Sequence, residues 1–254
     1  MSSISPRFGR DAGARRVSKA TAPRGHRLIC IARPRLFDGL SISDCVQIVS
    51  FAEHKRFLPT QTIPGQDIVA HFISLLVRGR AKTMRLSRGG VPVIVRIEQP
   101  GDVVGALGLP SDTLDLLRVQ ALETCQVLAW EAQTFEVLCE HFPALRHNSV
   151  QILDERLRLM EERFLELATE NAASRLARML IRLLQQNGSH REAARIGFSN
   201  DELAQMTGTT PFTVNRLLSD WQQRGIIQRR HKAVLVQDRL GLIDLASTKL
   251  QVVS

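Results

Sequence analysis

One stretch limits the fold more than any other: Asp201 to Gly225, DELAQMTGTTPFTVNRLLSDWQQRG. Leu203, Ala204 and Met206 give its first part an apolar side, and Gly208 stands where the chain must reverse. Thr210-Pro211 then reads as a helix start, a hydroxyl N-cap followed by Pro at the first helical position, where a missing N–H costs nothing. Val214, Leu217, Leu218 and Trp221 recur at helical spacing on one face, which turns Thr213, Asn215 and Arg216 the other way. The pattern predicts two short helices across a tight turn. A capped helix that presents hydroxyl, amide and guanidinium groups suits the major groove of DNA. The competing reading is a helix corner that only packs.

The residues that follow favour DNA. Gly225-Ile226-Ile227 leads into Gln228-Arg229-Arg230-His231-Lys232 and then Ala233-Val234-Leu235-Val236. Two β-rich runs around a basic tip predict a hairpin, or wing, whose Arg229, Arg230 and Lys232 reach phosphate oxygens. Helix, turn, helix and wing form a winged helix-turn-helix.

Upstream, the period changes twice. Leu36 to Phe57 reads as a helical lead-in. From Leu58 to Trp130, short apolar runs (Phe72 to Val77, Val91 to Ile97, Val103 to Leu107, Val119 to Leu122, Val127 to Trp130) alternate with turn residues, as in a small barrel or jelly roll. Ala132 to Phe142 reads as a helix ended near Pro143. Then Val150, Leu153, Leu157, Met160, Phe164 and Leu167 follow one another at steps of three and four, a heptad seam with Arg and Glu between. A helix lying on its own domain shows a wider apolar stripe, so the seam predicts a two-stranded dimer and, with it, two-fold DNA half-sites about one helical turn apart. Ala172 to Leu184 predicts one more helix, and 168–173 a hinge.

These features together resemble the Crp/Fnr family of bacterial transcription regulators. LAQMTGTTPFTVNRLLSDWQQRGII is similar to its C-terminal signature, Pro100 to Gly108 to the GD-x-x-G-x-L-G run of its sensor domain, and Ser74 to Lys82 to a strand-turn-strand of that domain. The similarity runs in order over about residues 36 to 245. It implies an α+β fold: a cyclic-nucleotide-binding-type β-roll, a long dimerisation helix and a winged helix-turn-helix. The expected division is a disordered basic tail at 1–35, a β-roll sensor at 36–147, a dimerisation helix at 148–170, a DNA-binding domain at 171–246 and a tail at 247–254.

The resemblance also implies roles. Thr210 matches a phosphate-contacting hydroxyl, and Thr213 a phosphate contact or helix support. Many relatives then carry an Arg or Val and a base-reading Glu where this chain has Pro211 and Phe212, so the operator sequence stays open; Phe212 meets a thymine methyl or packs. Asn215 holds a variable specificity position, where Asn suits adenine, and Arg216 matches the base-reading Arg, whose fork suits guanine. In the sensor, Ala106 stands where cyclic-AMP-binding relatives have a Glu, and the segment due to supply an Arg for the phosphate reads Ser111-Asp112-Thr113-Leu114-Asp115-Leu116-Leu117, with Arg118 out of register. Asp112 and Asp115 oppose an anion, so control by cyclic AMP is not expected. Iron–sulfur sensing needs a close N-terminal Cys cluster that is absent. Haem stays open, with His54, His71, His141 and His147 as candidate ligands, and the effector site is unassigned. MTGTT-x-x-TV-x-R-x-L-x-x-W is also similar to nitric-oxide- and denitrification-linked members.

Composition adds limits. Nearly all of the net charge of +9 lies in the first 35 residues, where nine Arg and Lys face only Asp11, so it says little about the helix-turn-helix. That tail is read as disordered; a transit peptide is a lesser alternative to loose DNA contact or a start placed too far upstream. No apolar run approaches the ~20 residues of a membrane span. The four cysteines, Cys30, Cys45, Cys125 and Cys139, are scattered and read as free thiols in a reducing cytoplasm, with an oxidation sensor, and so a haem- or redox-dependent gas-sensing regulator of the same family, as the lesser alternative. A cupin-like metal protein or enzyme needs clustered His and carboxylate that the spacing lacks, and catalytic motifs are missing. The expected partners are double-stranded DNA, a second copy of the chain and RNA polymerase, with no metal, membrane or catalytic role.

Overall fold

The computed structural model describes residues 34–63, 66–67, 70–104, 107, 117–186 and 195–247. The expectations for the basic tail, Cys30, Ala106, the segment 111–116 and the His71 side chain lie outside the described residues.

Ser41 opens α1 (Ile42–Ser50) with a capping box: the Asp44 N–H donates to Ser41 Oγ at 3.1 Å, and the Ser41 N–H to Asp44 Oδ2 at 3.3 Å. The helical lead-in stops there. Glu53–Phe57 is a strand, β1. The next strands are β2 (Thr62–Ile63), β3 (Gln66–Asp67), β4 (Ala70–Arg78), β5 (Ala81–Leu86), β6 (Pro92–Glu98), β7 (Val103–Val104), β8 (Leu117–Ala121) and β9 (Cys125–Glu131). They form two antiparallel sheets, ordered β1-β9-β4-β3 with β7 on β4, and β2-β8-β5-β6. β1 escaped the sequence reading because Glu-His-Lys-Arg-Phe is an edge strand, where charge replaces apolar alternation.

Ile63, Leu76, Val104, Val119, Cys125 and Val127 pack between the two sheets. Gly79 permits the β4–β5 turn: its φ is +90°, and a Cβ there would stand 2.6 Å from the Thr124 carbonyl oxygen. A second core lies on the outer side of the first sheet. Trp130 is fully buried among Phe37, Ile48 and Phe135, and its Nε1–H donates to the Ile48 carbonyl at 2.9 Å. That core also takes in α2 (Ala132–His141) through Phe135, Leu138 and Cys139.

The long helix, α3 (Pro143–Thr169), starts earlier than the seam suggests, with Pro143 in its first turn. Its opening turns serve the β-roll instead of a partner: Leu145 is buried, and Asn148 Nδ2 donates to the Leu36 and Asp38 carbonyls at 3.0 and 2.8 Å.

The C-terminal part comprises α4 (Ala172–Gln186), β10 (Arg195–Ile196), α5 (Asn200–Thr207), α6 (Pro211–Gln223), β11 (Ile227–Arg230), β12 (Ala233–Val236) and α7 (Arg239–Ser247). The sequence reading had no place for β10 or α7. One core joins Leu176, Leu180, Leu203, Val214, Leu218, Trp221, Ile227, Val234 and Leu242. Ile94 of β6 is buried in that same core, so the sheet is packed against the C-terminal part. Lys82 of β5 adds an ion pair to Glu202 of α5, 2.9 Å apart and largely shielded.

Candidate nucleic-acid interface

The helix pair is built by local chemistry. Ser199 and Glu202 cap α5 reciprocally, with the Glu202 N–H donating to Ser199 Oγ at 3.2 Å and the Ser199 N–H to Glu202 Oε2 at 3.0 Å. Burial alone raises the Glu202 carboxyl, but the hydrogen bonds from Lys82 and Ser199 outweigh it and hold the pKa below its ordinary value. Gly208 ends α5 in the left-handed region, φ +62°, with its N–H on the Ala204 carbonyl. Two residues later Thr210 Oγ1 accepts from the Thr213 N–H at 3.1 Å and starts α6.

Val214, Leu218 and Trp221 lock α6 into the core, and Leu217 is half-buried. The opposite side carries the predicted contact residues. Phe212 is 77% exposed, so its ring lies outside the core of its own chain. Asn215 and Arg216 are exposed, and Arg216 has no hydrogen-bond or ion-pair partner among the described residues. Thr210 and Thr213 are drawn together, their hydroxyl oxygens 3.0 Å apart, so one hydroxyl hydrogen serves the pair and the other is spare.

β11 and β12 form the expected hairpin, Arg230 pairing with Ala233 across a turn in which Lys232 adopts φ +49°. The three wing cations separate. Arg230 and Lys232 are exposed, whereas Arg229 turns onto α6 and donates to Asn215 Oδ1 and Ser219 Oγ at 2.7 and 2.9 Å. Ser219, Gln222 and Ser199 were missed as participants. The Ser199-x-x-Glu202 capping pattern was legible; Ser219 and Gln222 sit one and two turns beyond Asn215 on its own face.

The seam of α3 is uncovered. Val150, Leu153, Leu157, Met160, Phe164 and Leu167 are all exposed, Phe164 by 70%. One flank of the helix is tied down, Arg156 donating to the Val103 carbonyl and Arg163 to the Val95 carbonyl. A cleft of about 450 Å³ lies where α3 faces β6, lined by Arg96, Glu98, Asp102, Arg156 and Met160. Burial, then the neighbouring Arg96, lowers the Arg156 pKa to about 10.

Cys125 and Cys139 are buried, and burial followed by the Glu136 charge raises the Cys139 thiol to about 11, away from a reactive thiolate. Among the described residues, no three His, Cys, Asp or Glu are grouped to hold a metal. No described helix is long and apolar enough to cross a membrane.

The Crp-like helix-turn-helix domain family matches residues 174–245, and the cyclic nucleotide-binding domain family matches residues 54–142. The chain belongs to the Crp/Fnr family of DNA-binding transcription regulators. This Crp/Fnr regulator is 27% identical over 176 residues to the transcriptional activator protein Anr of Pseudomonas aeruginosa, covering 68% of this chain and 72% of that one. It is 25% identical over 211 residues to the cyclic AMP receptor protein of Thermus thermophilus, covering 83% and 96%. The structure of FixK2 from Bradyrhizobium japonicum shares its fold, with a TM-score of 0.67 at 22% identity over 78% of this chain and 98% of that one. The two matched segments leave α3 between them, the position of the dimerisation helix expected from the seam.

Proposed function

We propose that this Crp/Fnr regulator binds a palindromic operator as a homodimer, with α6 of each copy in the major groove. Arg216 reads a guanine, Phe212 meets a thymine methyl, Thr210 and Thr213 anchor the helix start at phosphate, and Arg230 and Lys232 hold the flanking backbone. Val150, Leu153, Leu157, Met160, Phe164 and Leu167 pair with the same residues of the second copy. The observation that carries this reading is the division of α6: Val214, Leu218 and Trp221 buried, Phe212, Asn215 and Arg216 exposed and otherwise unemployed in packing.

The role needs no catalysis, places the protein in the cytoplasm with DNA, and makes RNA polymerase its working partner at a promoter. Ala106 supports control by something other than cyclic AMP. The test is selection from a random duplex pool by the purified protein at fixed, near-physiological salt. A palindrome with a guanine in each half-site, lost in Arg216→Ala, supports the proposal; enrichment of no sequence contradicts it.

A further inference from the structure

Arg229 has a task besides phosphate contact. Its guanidinium spans one turn of α6, Nη2 donating to Asn215 Oδ1 at 2.7 Å and Nη1 to Ser219 Oγ at 2.9 Å. Its backbone N–H donates to Gln222 Oε1 at 3.1 Å, which fixes β11 against the helix. A guanidinium only donates, so the Asn215 atom facing it must be the amide oxygen. Asn200 Nδ2, at the start of α5, approaches the same oxygen from 3.4 Å. An amide oxygen has two lone pairs, and both have a donor. The NH₂ group of this exposed side chain has no acceptor among the described residues.

That asymmetry changes what Asn215 can read. Asn recognises adenine with both amide atoms, the oxygen accepting from N6–H and the nitrogen donating to N7. With the oxygen engaged, only donation is left. Guanine offers two adjacent acceptors, N7 and O6, and thymine offers O4; adenine keeps N7 as an acceptor, but its N6–H₂ no longer meets a free amide oxygen, and cytosine presents only a donor. We infer that Arg229 sets the base preference of Asn215, so that the helix loses the two-atom contact to adenine and favours guanine or thymine over adenine at that base pair.

The inference rests on the operator-binding reading above. It differs from a phosphate role, since loss of a phosphate contact weakens all sequences alike. The experiment uses the full chain and its selected site. The Asn215 base pair is the one whose preference disappears in Asn215→Ala, and competition binding is measured on duplexes carrying each of the four base pairs there. The wild type is expected to prefer guanine or thymine over adenine by on the order of tenfold. Arg229→Ala frees the oxygen and moves the preference toward adenine. Ser219→Ala, which removes the second anchor of the guanidinium without touching Asn215, moves it the same way by less, and a urea unfolding midpoint close to wild type for the C-terminal part shows that both variants fold. A wild-type preference for adenine or cytosine overturns the inference, as does a uniform loss on all four duplexes in Arg229→Ala. So does an Asn215→Ala protein with every preference intact. These results leave a selected palindrome standing, whereas failure to select any site removes the operator reading and this inference together.

Discussion

In the proposed operator complex, Arg216 and Lys232 make different kinds of DNA contact. Arg216→Ala is expected to cost about 1–3 kcal/mol at one base pair and to relax the preference there, as read by competition between single-base variants of the site. Lys232→Ala should instead weaken binding evenly and reduce the slope of log affinity against log salt by about one. Arg216 was legible in the sequence because its position on α6 is fixed by Val214, Leu218 and Trp221 on the far side. Arg229 was not: whether a wing cation faces DNA or the helix depends on hairpin register, here Arg229 opposite Val234 and Arg230 opposite Ala233, and a run of Gln-Arg-Arg-His-Lys carries no apolar alternation to reveal it. Gly208 was legible as a turn, though not its second constraint. A Cβ at Gly208 would lie 2.9 Å from Leu167 Cδ2 at φ +62°. Gly208→Ala should therefore cost about 1–2 kcal/mol from the left-handed backbone alone, seen as an earlier urea midpoint for the C-terminal part.

At the scale of elements, the proposed dimer rests on α3. Arg156 and Arg163 hold one side to the β-roll carbonyls, so the exposed seam has a fixed direction instead of being free to fold back. Leu157, 58% exposed in the single chain, sits near the middle of the seam. A charge there meets its own image across a two-fold axis, so Leu157→Glu should sediment as a monomer and lose operator binding, while its circular dichroism stays close to wild type. A dimer of unchanged stability would place the interface elsewhere. The heptad was readable because its residues stay exposed, so packing within the chain does not overwrite its pattern. The first turns of α3 were not, since Leu145 and Asn148 answer to the β-roll core and to the carbonyls of residues 36 and 38. β1 and α7 were hidden for related reasons: an edge strand shows charge, and α7 (Arg239–Ser247) buries only Leu242 and Ala246, too few for a clear helical stripe.

Across the whole molecule, the two domains are joined by more than α3. Ile94 enters the DNA-binding core, and Lys82 pairs with Glu202, the residue that also caps α5. Because Glu202 is held below its ordinary pKa of about 4.5, its stabilising contribution is present above that value and is lost as pH falls through the lower folded value. Acidification from about pH 5 to about pH 3 should thus raise amide exchange in α5 and β5. Glu202→Gln keeps a capping acceptor and should remove most of that pH step; an equal step in the variant would assign it to other groups. The account as a whole requires two copies of this chain on one two-fold site. The most direct measurement is the mass of the complex formed on a single selected palindrome, compared with an isolated half-site. The account predicts two 28.4 kDa chains per palindrome and far weaker binding to the half-site. One chain per duplex, with half-site and palindrome bound equally well, would contradict it.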